Sequence, residues 1–71
     1  MNFRDEKLLG RLGQRIQQTR LSKGYTQEDL AYESGLSLSQ IARIETGKLN
    51  STVCTLAVIA KTLKVELRDL L

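Results

Sequence analysis

Residues 26–48 read TQEDLAYESGLSLSQIARIETGK and hold two short helical patterns separated by a turn with a glycine. Thr26 can cap free backbone N–H groups, and Asp29 follows three positions later, where an acid favours the start of a helix. Gly35 can adopt the left-handed conformation in which a helix ends and the chain turns. The stretch therefore predicts a helix that begins at Thr26 and a tight turn at Gly35.

The second pattern begins after Ser37, the next candidate cap, and runs from Leu38 to Glu45, with Gly47 closing it. At about 100° per residue, Ile41, Ile44 and Glu45 fall on one face. The opposite face is short and able to form hydrogen bonds, and it consists of Ser39, Ala42, Arg43 and Thr46, flanked by Leu38 and Gln40. A narrow strip of this kind fits the major groove of DNA.

Periodicity predicts three further helices. The first runs from about residue 5 or 8 to residue 23, and its apolar face comprises Leu8, Leu9, Leu12 and Ile16 together with Thr19 and Arg20. The fourth starts near Thr52, and its buried stripe comprises Val53, Leu56, Ile59, Ala60 and Leu63. The last is a short turn over residues 66–71. We therefore expect an all-α fold of five helices, in one domain over residues 1–71.

The composition limits the classes of protein to which the chain can belong. Hydrophobic residues make up 41% of it and aromatic residues only 4%, so the core must consist mainly of aliphatic side chains. The net charge of +3 suits an anionic partner, although many basic proteins do not bind nucleic acid. The charge is concentrated in residues 1–24, which hold six basic and two acidic side chains.

Several functions are excluded by the residues that are missing. One cysteine and no histidine rule out an intramolecular disulfide and make a zinc site implausible. Without histidine there is no Ser-His or Cys-His nucleophile, and no Walker-type phosphate loop is present. The chain has no apolar run long enough to indicate a membrane span, and its charged N-terminus does not resemble a signal peptide. We expect a cytoplasmic protein that is not an enzyme and has no cofactor.

Two charged residues stand where the helical pattern calls for apolar ones. Arg20 lies on the apolar face of the first helix, and Glu45 lies on the inward face of the third. Each would be an uncompensated buried charge unless the two meet, so we predict that they form an ion pair. The alternative is that both side chains extend to solvent.

Residues 26–47 resemble the helix-turn-helix of the Xre/Cro/phage-repressor family. The matching positions are Gln27, Leu30, Ala31, Gly35, Ile41, Ile44, Glu45 and Gly47. Residues 12–27 are similar to the first helix of the family, and residues 55–71 resemble its fourth and fifth helices. The resemblance implies a five-helix, lambda-repressor-like fold that binds double-stranded DNA, and it implies the same ion pair.

The third helix holds the candidates for base contacts. Arg43 is the first of them, because its guanidinium can donate two hydrogen bonds to a guanine; an ordinary solvated arginine is the alternative. The resemblance places Ser39 at a base edge and Gln40 toward a base or the sugar-phosphate wall. Leu38 departs from the family, which often has a polar residue there; it packs on a thymine methyl or covers the start of the helix.

The candidates for phosphate contacts come from the resemblance. Gln27 points toward a phosphate in the family, although a capping role is the alternative. Lys48, Asn50 and Ser51 occupy a loop that the family places against the DNA backbone.

Two departures from the family concern structure. Cys54 replaces a polar residue and is expected to be a free surface thiol, and Lys64 replaces a glycine, which is expected to strain the turn after the fourth helix.

A single module of this kind contacts few base pairs, so we expect a homodimer on a pseudo-palindromic operator. The candidates for the dimer interface are Val65, Leu67 and Leu71, with Leu49 as a further one. Regulation is expected to depend on protein concentration, without a small-molecule ligand. The rival interpretation is a protein-binding module, such as the antitoxin of a toxin pair, which would use Leu21, Tyr32 and Leu38.

Overall fold

The computed structural model describes residues 5–71, which form five helices. They are α1 (Glu6–Ser22), α2 (Gln27–Ser34), α3 (Leu38–Glu45), α4 (Val53–Leu63) and α5 (Leu67–Leu70). The predicted all-α class with five helices is confirmed for this part of the chain. Helix α1 packs against α3 and α5, α2 packs against α3 and α4, and α4 packs against α5. This arrangement leaves one face of α3 uncovered.

Side-chain caps define where the central helices begin. The Thr26 hydroxyl accepts a hydrogen bond from the Asp29 N–H at 3.0 Å, and the Asp29 carboxylate accepts one from the Thr26 N–H at 2.9 Å. Ser37 and Gln40 form the same reciprocal pair at the start of α3. Because each pair satisfies two backbone donors that a helix start leaves free, the caps fix the residues at which α2 and α3 begin.

The core is aliphatic, as the composition predicts. Its fully buried side chains are Ile16, Leu30, Ile41, Ile59, Leu63 and Leu70, so all five helices contribute to it. The prediction that Leu8 and Val53 lie on buried faces is wrong, because Leu8 is 56% exposed and Val53 is 68% exposed. Both lie in the first turn of their helices, and this end of each apolar stripe extends beyond the edge of the core.

Helices α1 and α3 approach each other closely at Gly13, which is buried within α1. A Cβ added to Gly13 would fall on the carbonyl oxygen of Ile44 and 2.7 Å from the carbonyl oxygen of Glu45. The glycine therefore allows the backbone of α1 to press against the last turn of α3. Gly13 thus sets the distance between α1 and α3.

Helix α4 ends in a left-handed residue that is not glycine. Lys64 has φ 61° and ψ 41°, and it is the one non-glycine residue with positive φ among residues 5–71. The Val65 N–H donates to the Ala60 carbonyl at 3.0 Å across this turn. A side chain with a Cβ is disfavoured in this conformation, so the strain expected at Lys64 has a structural basis.

Lys64→Gly is therefore expected to raise the free energy of unfolding by about 0.5 to 1 kcal/mol, because glycine adopts positive φ without a steric penalty. Urea unfolding followed by circular dichroism measures the change. The matched control is Lys61→Gly, since Lys61 is an exposed lysine inside α4; that substitution is expected to destabilise the protein by about 1 kcal/mol. Equal destabilisation by both substitutions would show that the turn is not strained.

Candidate nucleic-acid interface

The uncovered face of α3 presents the side chains that the sequence assigns to base contacts. Leu38, Ser39 and Arg43 are exposed, whereas Ile41, Ile44 and Glu45 point into the protein. Within residues 5–71, the Arg43 guanidinium has no acceptor and no ion-pair partner. The structure therefore brings these three residues together on one surface and leaves the donors of Arg43 free.

Gln40 has two roles on this surface. Its Oε1 accepts the hydrogen bond from the Ser37 N–H at 3.1 Å, which caps α3. That bond holds the side chain beside the start of the helix and leaves the amide NH2 available as a donor. Thr46 is less available, because its hydroxyl donates to backbone carbonyls of Ala42 and Arg43 in the last turn. A polar side chain near the exposed face is thus not always free to bind.

The opposite end of α3 is anchored by the buried charges. The Arg20 Nε donates to the Glu45 Oε2 at 2.7 Å, and a second guanidinium nitrogen donates to the Glu45 Oε1 at 3.0 Å. The third guanidinium nitrogen donates to the backbone carbonyl of Tyr25 at 2.8 Å. Both Arg20 and Glu45 are only 6% exposed. A paired contact of this geometry restricts the relative orientation of α1 and α3.

Gln27 joins the same network. Its Nε2 donates to the Glu45 Oε1 at 3.0 Å, so the start of α2 is linked directly to the end of α3. The half-buried Gln27 keeps a second N–H on the same nitrogen, which is the group available for the predicted phosphate contact. The link to Glu45 is a role that sequence reasoning missed, since no local pattern connects residues 27 and 45.

The loop after α3 does not present all of its predicted phosphate contacts. Lys48 and Asn50 are exposed and agree with that role in their placement. Ser51 does not: its hydroxyl is shielded from solvent and has no hydrogen-bond partner within residues 5–71. The loop turns the Ser51 hydroxyl away from solvent. We therefore correct the prediction that Ser51 offers its hydroxyl to a phosphate.

Two titratable groups near α2 are perturbed by local hydrogen bonds. The bonds from the backbone and hydroxyl of Thr26 lower the pKa of the Asp29 carboxyl below its ordinary value of 3.8. The cap of α2 is thus intact above that value and is lost as the pH falls through the lowered pKa. The bond from the Tyr25 phenol to Glu33, at 3.0 Å, raises the pKa of Tyr25 above 10.0. Neither group is part of the exposed face of α3.

The predicted dimer residues differ in exposure. Val65 and Leu67 are half-buried and pack on the core of their own chain, whereas Leu71 is 71% exposed. Val53 and Val58 on α4 are exposed apolar residues as well, and the sequence analysis did not identify Val58 as a candidate for the interface.

The Cys54 thiol is exposed, as expected. Within residues 5–71, no acidic, histidine or cysteine side chains group as metal ligands, and no helix has the length and apolar character to cross a bilayer.

Two capped helices joined at a left-handed glycine, with the second helix presenting an exposed polar face, define a helix-turn-helix DNA-binding domain. The profile of the helix-turn-helix family matches residues 16–70. The chain is 42% identical over 60 residues to control protein C.BamHI from Bacillus amyloliquefaciens, which corresponds to 83% of this chain and 74% of the relative. The chain therefore belongs to the helix-turn-helix family of the Xre and lambda-repressor type.

Solved structures give the same result. The restriction-modification controller protein C.AhdI from Aeromonas hydrophila superimposes with a TM-score of 0.89 at 35% identity, over 92% of this chain and 98% of that protein. The wild-type controller protein C.Esp1396I gives a TM-score of 0.82 at 42% identity, over 87% of this chain and 82% of that protein. This chain is a DNA-binding transcriptional regulator and not an enzyme.

Proposed function

We propose that the chain binds a pseudo-palindromic operator as a homodimer, with α3 of each subunit in the major groove. The observation that carries the proposal is the exposed guanidinium of Arg43 on α3, which has no partner among the described residues. That helix is held in place by the buried contact between Arg20 and Glu45. A donor pair on a rigid helix can read the O6 and N7 atoms of guanine.

The surroundings of α3 support contacts to the DNA backbone. Lys48 and Asn50 are exposed in the loop that follows α3, and Gln27 retains one N–H at the start of α2. These groups contribute affinity without choosing a sequence, because phosphates are the same at every base pair. Ser39 and Gln40 flank Arg43 and are the further candidates for base contacts, while Leu38 supplies an apolar contact for a thymine methyl.

The relatives support a narrower role. Two of the similar structures are restriction-modification controller proteins, and we infer that this chain controls the expression of such a system. A reporter gene placed behind the promoter region of neighbouring restriction and modification genes tests this inference. If the chain binds an operator selected in vitro but does not change expression of the reporter, this inference is contradicted while the proposal of DNA binding stands.

Arg43→Lys separates base reading from charge. Operators are first selected from a random DNA pool with the unaltered protein. The variant keeps the positive charge but loses the planar pair of donors, and we expect it to lose about 1 to 3 kcal/mol of discrimination between the operator and a mismatched site. Fluorescence anisotropy with operator variants over a series of salt concentrations measures the discrimination.

Lys48→Ala is the matched control in the same experiment. Because Lys48 is a candidate phosphate contact, this variant is expected to bind all sequences more weakly, with a salt slope smaller by about 1. Sedimentation of the operator complex tests the dimer, which requires two chains on each site. Unchanged discrimination in Arg43→Lys, or one chain on each selected site, would contradict the proposed mode of binding.

The protein-binding alternative has one structural observation in its favour: Tyr32 on α2 is 90% exposed and Leu21 at the end of α1 is largely exposed. An aromatic and an aliphatic side chain in water are typical of a contact surface for another protein. Tyr32→Ala discriminates between the two functions. A transcriptional regulator keeps its operator affinity in this variant, whereas an antitoxin-like module loses its protein partner.

A further inference from the structure

The exposed face of α3 divides into two parallel rows of side chains, because residues four apart on a helix lie nearly above one another. Ser39 and Arg43 form the polar row. Leu38, Ala42 and Thr46 form the neighbouring row, which we call the methyl row. Thr46 follows the last residue of α3, and its N–H donates to the Ala42 carbonyl at 3.2 Å, so the helical geometry of the row continues to Thr46.

The methyl row offers aliphatic groups and no hydrogen to donate. Leu38 is 45% exposed, and Ala42 is half-buried with a methyl group as its whole side chain. Thr46 is exposed, but its hydroxyl donates to the Ala42 carbonyl at 3.0 Å and lies 3.3 Å from the Arg43 carbonyl oxygen. Because the hydroxyl hydrogen is committed to the helix backbone, Thr46 offers a base its methyl group and at most an acceptor.

The length and chemistry of the methyl row fit the major groove. Residues 38 to 46 span about 12 Å along a helix, which corresponds to about three or four base pairs. Base pairs present mainly hydrogen-bond donors and acceptors in that groove, and the C5-methyl of thymine is the apolar group among them. A cytosine methylated at C5 carries the same group at the same position. Contact between such a group and the methyl row removes apolar surface of both partners from water.

We propose that the methyl row contacts the C5-methyl groups of pyrimidines, so that each operator half-site holds a thymine or a 5-methylcytosine beside the guanine contacted by Arg43. The inference rests on the proposed function and makes it more specific, since it extends the methyl contact from Leu38 to Ala42 and Thr46. The polar row then contacts hydrogen-bonding base edges, and the methyl row contacts the apolar group. Operator affinity depends in this way on methylation of the DNA at C5.

Deoxyuridine substitution tests the thymine contact. Operators are selected from a random pool of unmodified DNA, and each thymine is then replaced in turn by deoxyuridine, which lacks only the methyl group. At one or more positions in each half-site, we expect the affinity in fluorescence anisotropy to fall about threefold to fivefold, the effect of one buried methyl group. Thymines outside the half-sites are the control and are expected to tolerate the change.

The outcomes separate this inference from the proposed function. A selected operator that is bound with no sensitive thymine, or that has no thymine in its half-sites, would overturn the inference and leave DNA binding by α3 in place. If Arg43→Lys does not change discrimination among selected sites, the proposed function fails, and the inference fails with it.

Methylated cytosine tests whether the methyl group itself is contacted. At the sensitive position, the T·A pair is replaced by C·G and then by a pair with 5-methylcytosine. Methylation is expected to raise the affinity about threefold to fivefold over unmodified C·G, as the methyl group of thymine does over uracil. Equal affinity for the two cytosine forms would overturn the proposal, because the loss with uracil would then have another cause.

Two variants of Thr46 assign a contact to the methyl row. Thr46→Ser keeps the hydroxyl and removes the methyl group, and it is expected to abolish the preference for thymine over uracil at one position. Thr46→Val keeps the methyl group without the hydroxyl and is expected to retain that preference. The preference is a ratio of two affinities of the same protein, so a general loss of stability cancels from it. The reverse pattern, with the preference kept in Thr46→Ser and lost in Thr46→Val, would overturn the assignment.

Discussion

Arg20→Ala is expected to lower the free energy of unfolding by about 3 to 5 kcal/mol, which is a large part of the stability of a small domain. The substitution removes the only cation that contacts Glu45 within residues 5–71 and leaves that carboxylate buried. It also removes the donor to the Tyr25 carbonyl, so a second, part-buried acceptor loses its partner. Urea unfolding at low temperature, followed by circular dichroism, measures the difference.

Arg15→Ala is the matched control for this prediction. Arg15 lies in the same helix but is exposed, and its one side-chain hydrogen bond within residues 5–71 is the contact with the Asp69 carbonyl. Its removal is expected to cost less than about 1 kcal/mol, because an exposed contact exchanges with water. If both variants unfold at the same urea concentration as the unaltered protein, the Arg20 contact does not hold the fold together.

The network around Glu45 also links stability to the proposed function. Glu45 is the last residue of α3 and receives hydrogen bonds from α1 through Arg20 and from α2 through Gln27. The exposed residues Ser39 and Arg43 lie on the same short helix. A helix of two turns can aim its side chains reproducibly only if both ends are fixed, and here the Ser37 cap fixes one end and Glu45 the other.

Local sequence signals were sufficient to predict the helices. Thr26, Ser37 and Gly35 act within three or four residues of themselves, through capping hydrogen bonds and left-handed backbone. The exposed face of α3 follows from helical periodicity in the same way. The contact between Arg20 and Glu45 is long-range, but it could still be predicted, because a charge at an inward position needs an oppositely charged partner. These features needed no knowledge of the packing of the remaining chain.

The features that sequence reasoning missed depend on how distant segments meet. The inward turn of Ser51 and the exposure of Val53 are set by where the loop crosses the edge of the core. The hydrogen bond from Gln27 to Glu45 joins residues with no shared local pattern. Gly13 illustrates the same limit, because a glycine within a helix indicates only lower helix propensity until its neighbour across the interface is known.

Gly13→Ala is expected to destabilise the protein by about 3 kcal/mol, although alanine favours helix more than glycine does. Its Cβ would collide with the carbonyl oxygens of Ile44 and Glu45 in the last turn of α3. Backbone atoms cannot move aside by changing rotamer, so α1 and α3 must separate, and the contact between Arg20 and Glu45 would be distorted with them.

Gly10→Ala provides the control one turn earlier in α1. Outside its own helix backbone, a Cβ at Gly10 would meet no atom of residues 5–71 within 4 Å, so only the helix propensity changes, and this variant is expected to be stabilised by up to about 1 kcal/mol. The two substitutions make the same chemical change in the same helix and should therefore shift the urea midpoint in opposite directions. A stabilised Gly13→Ala variant would show that α1 and α3 do not approach as closely as the structure places them.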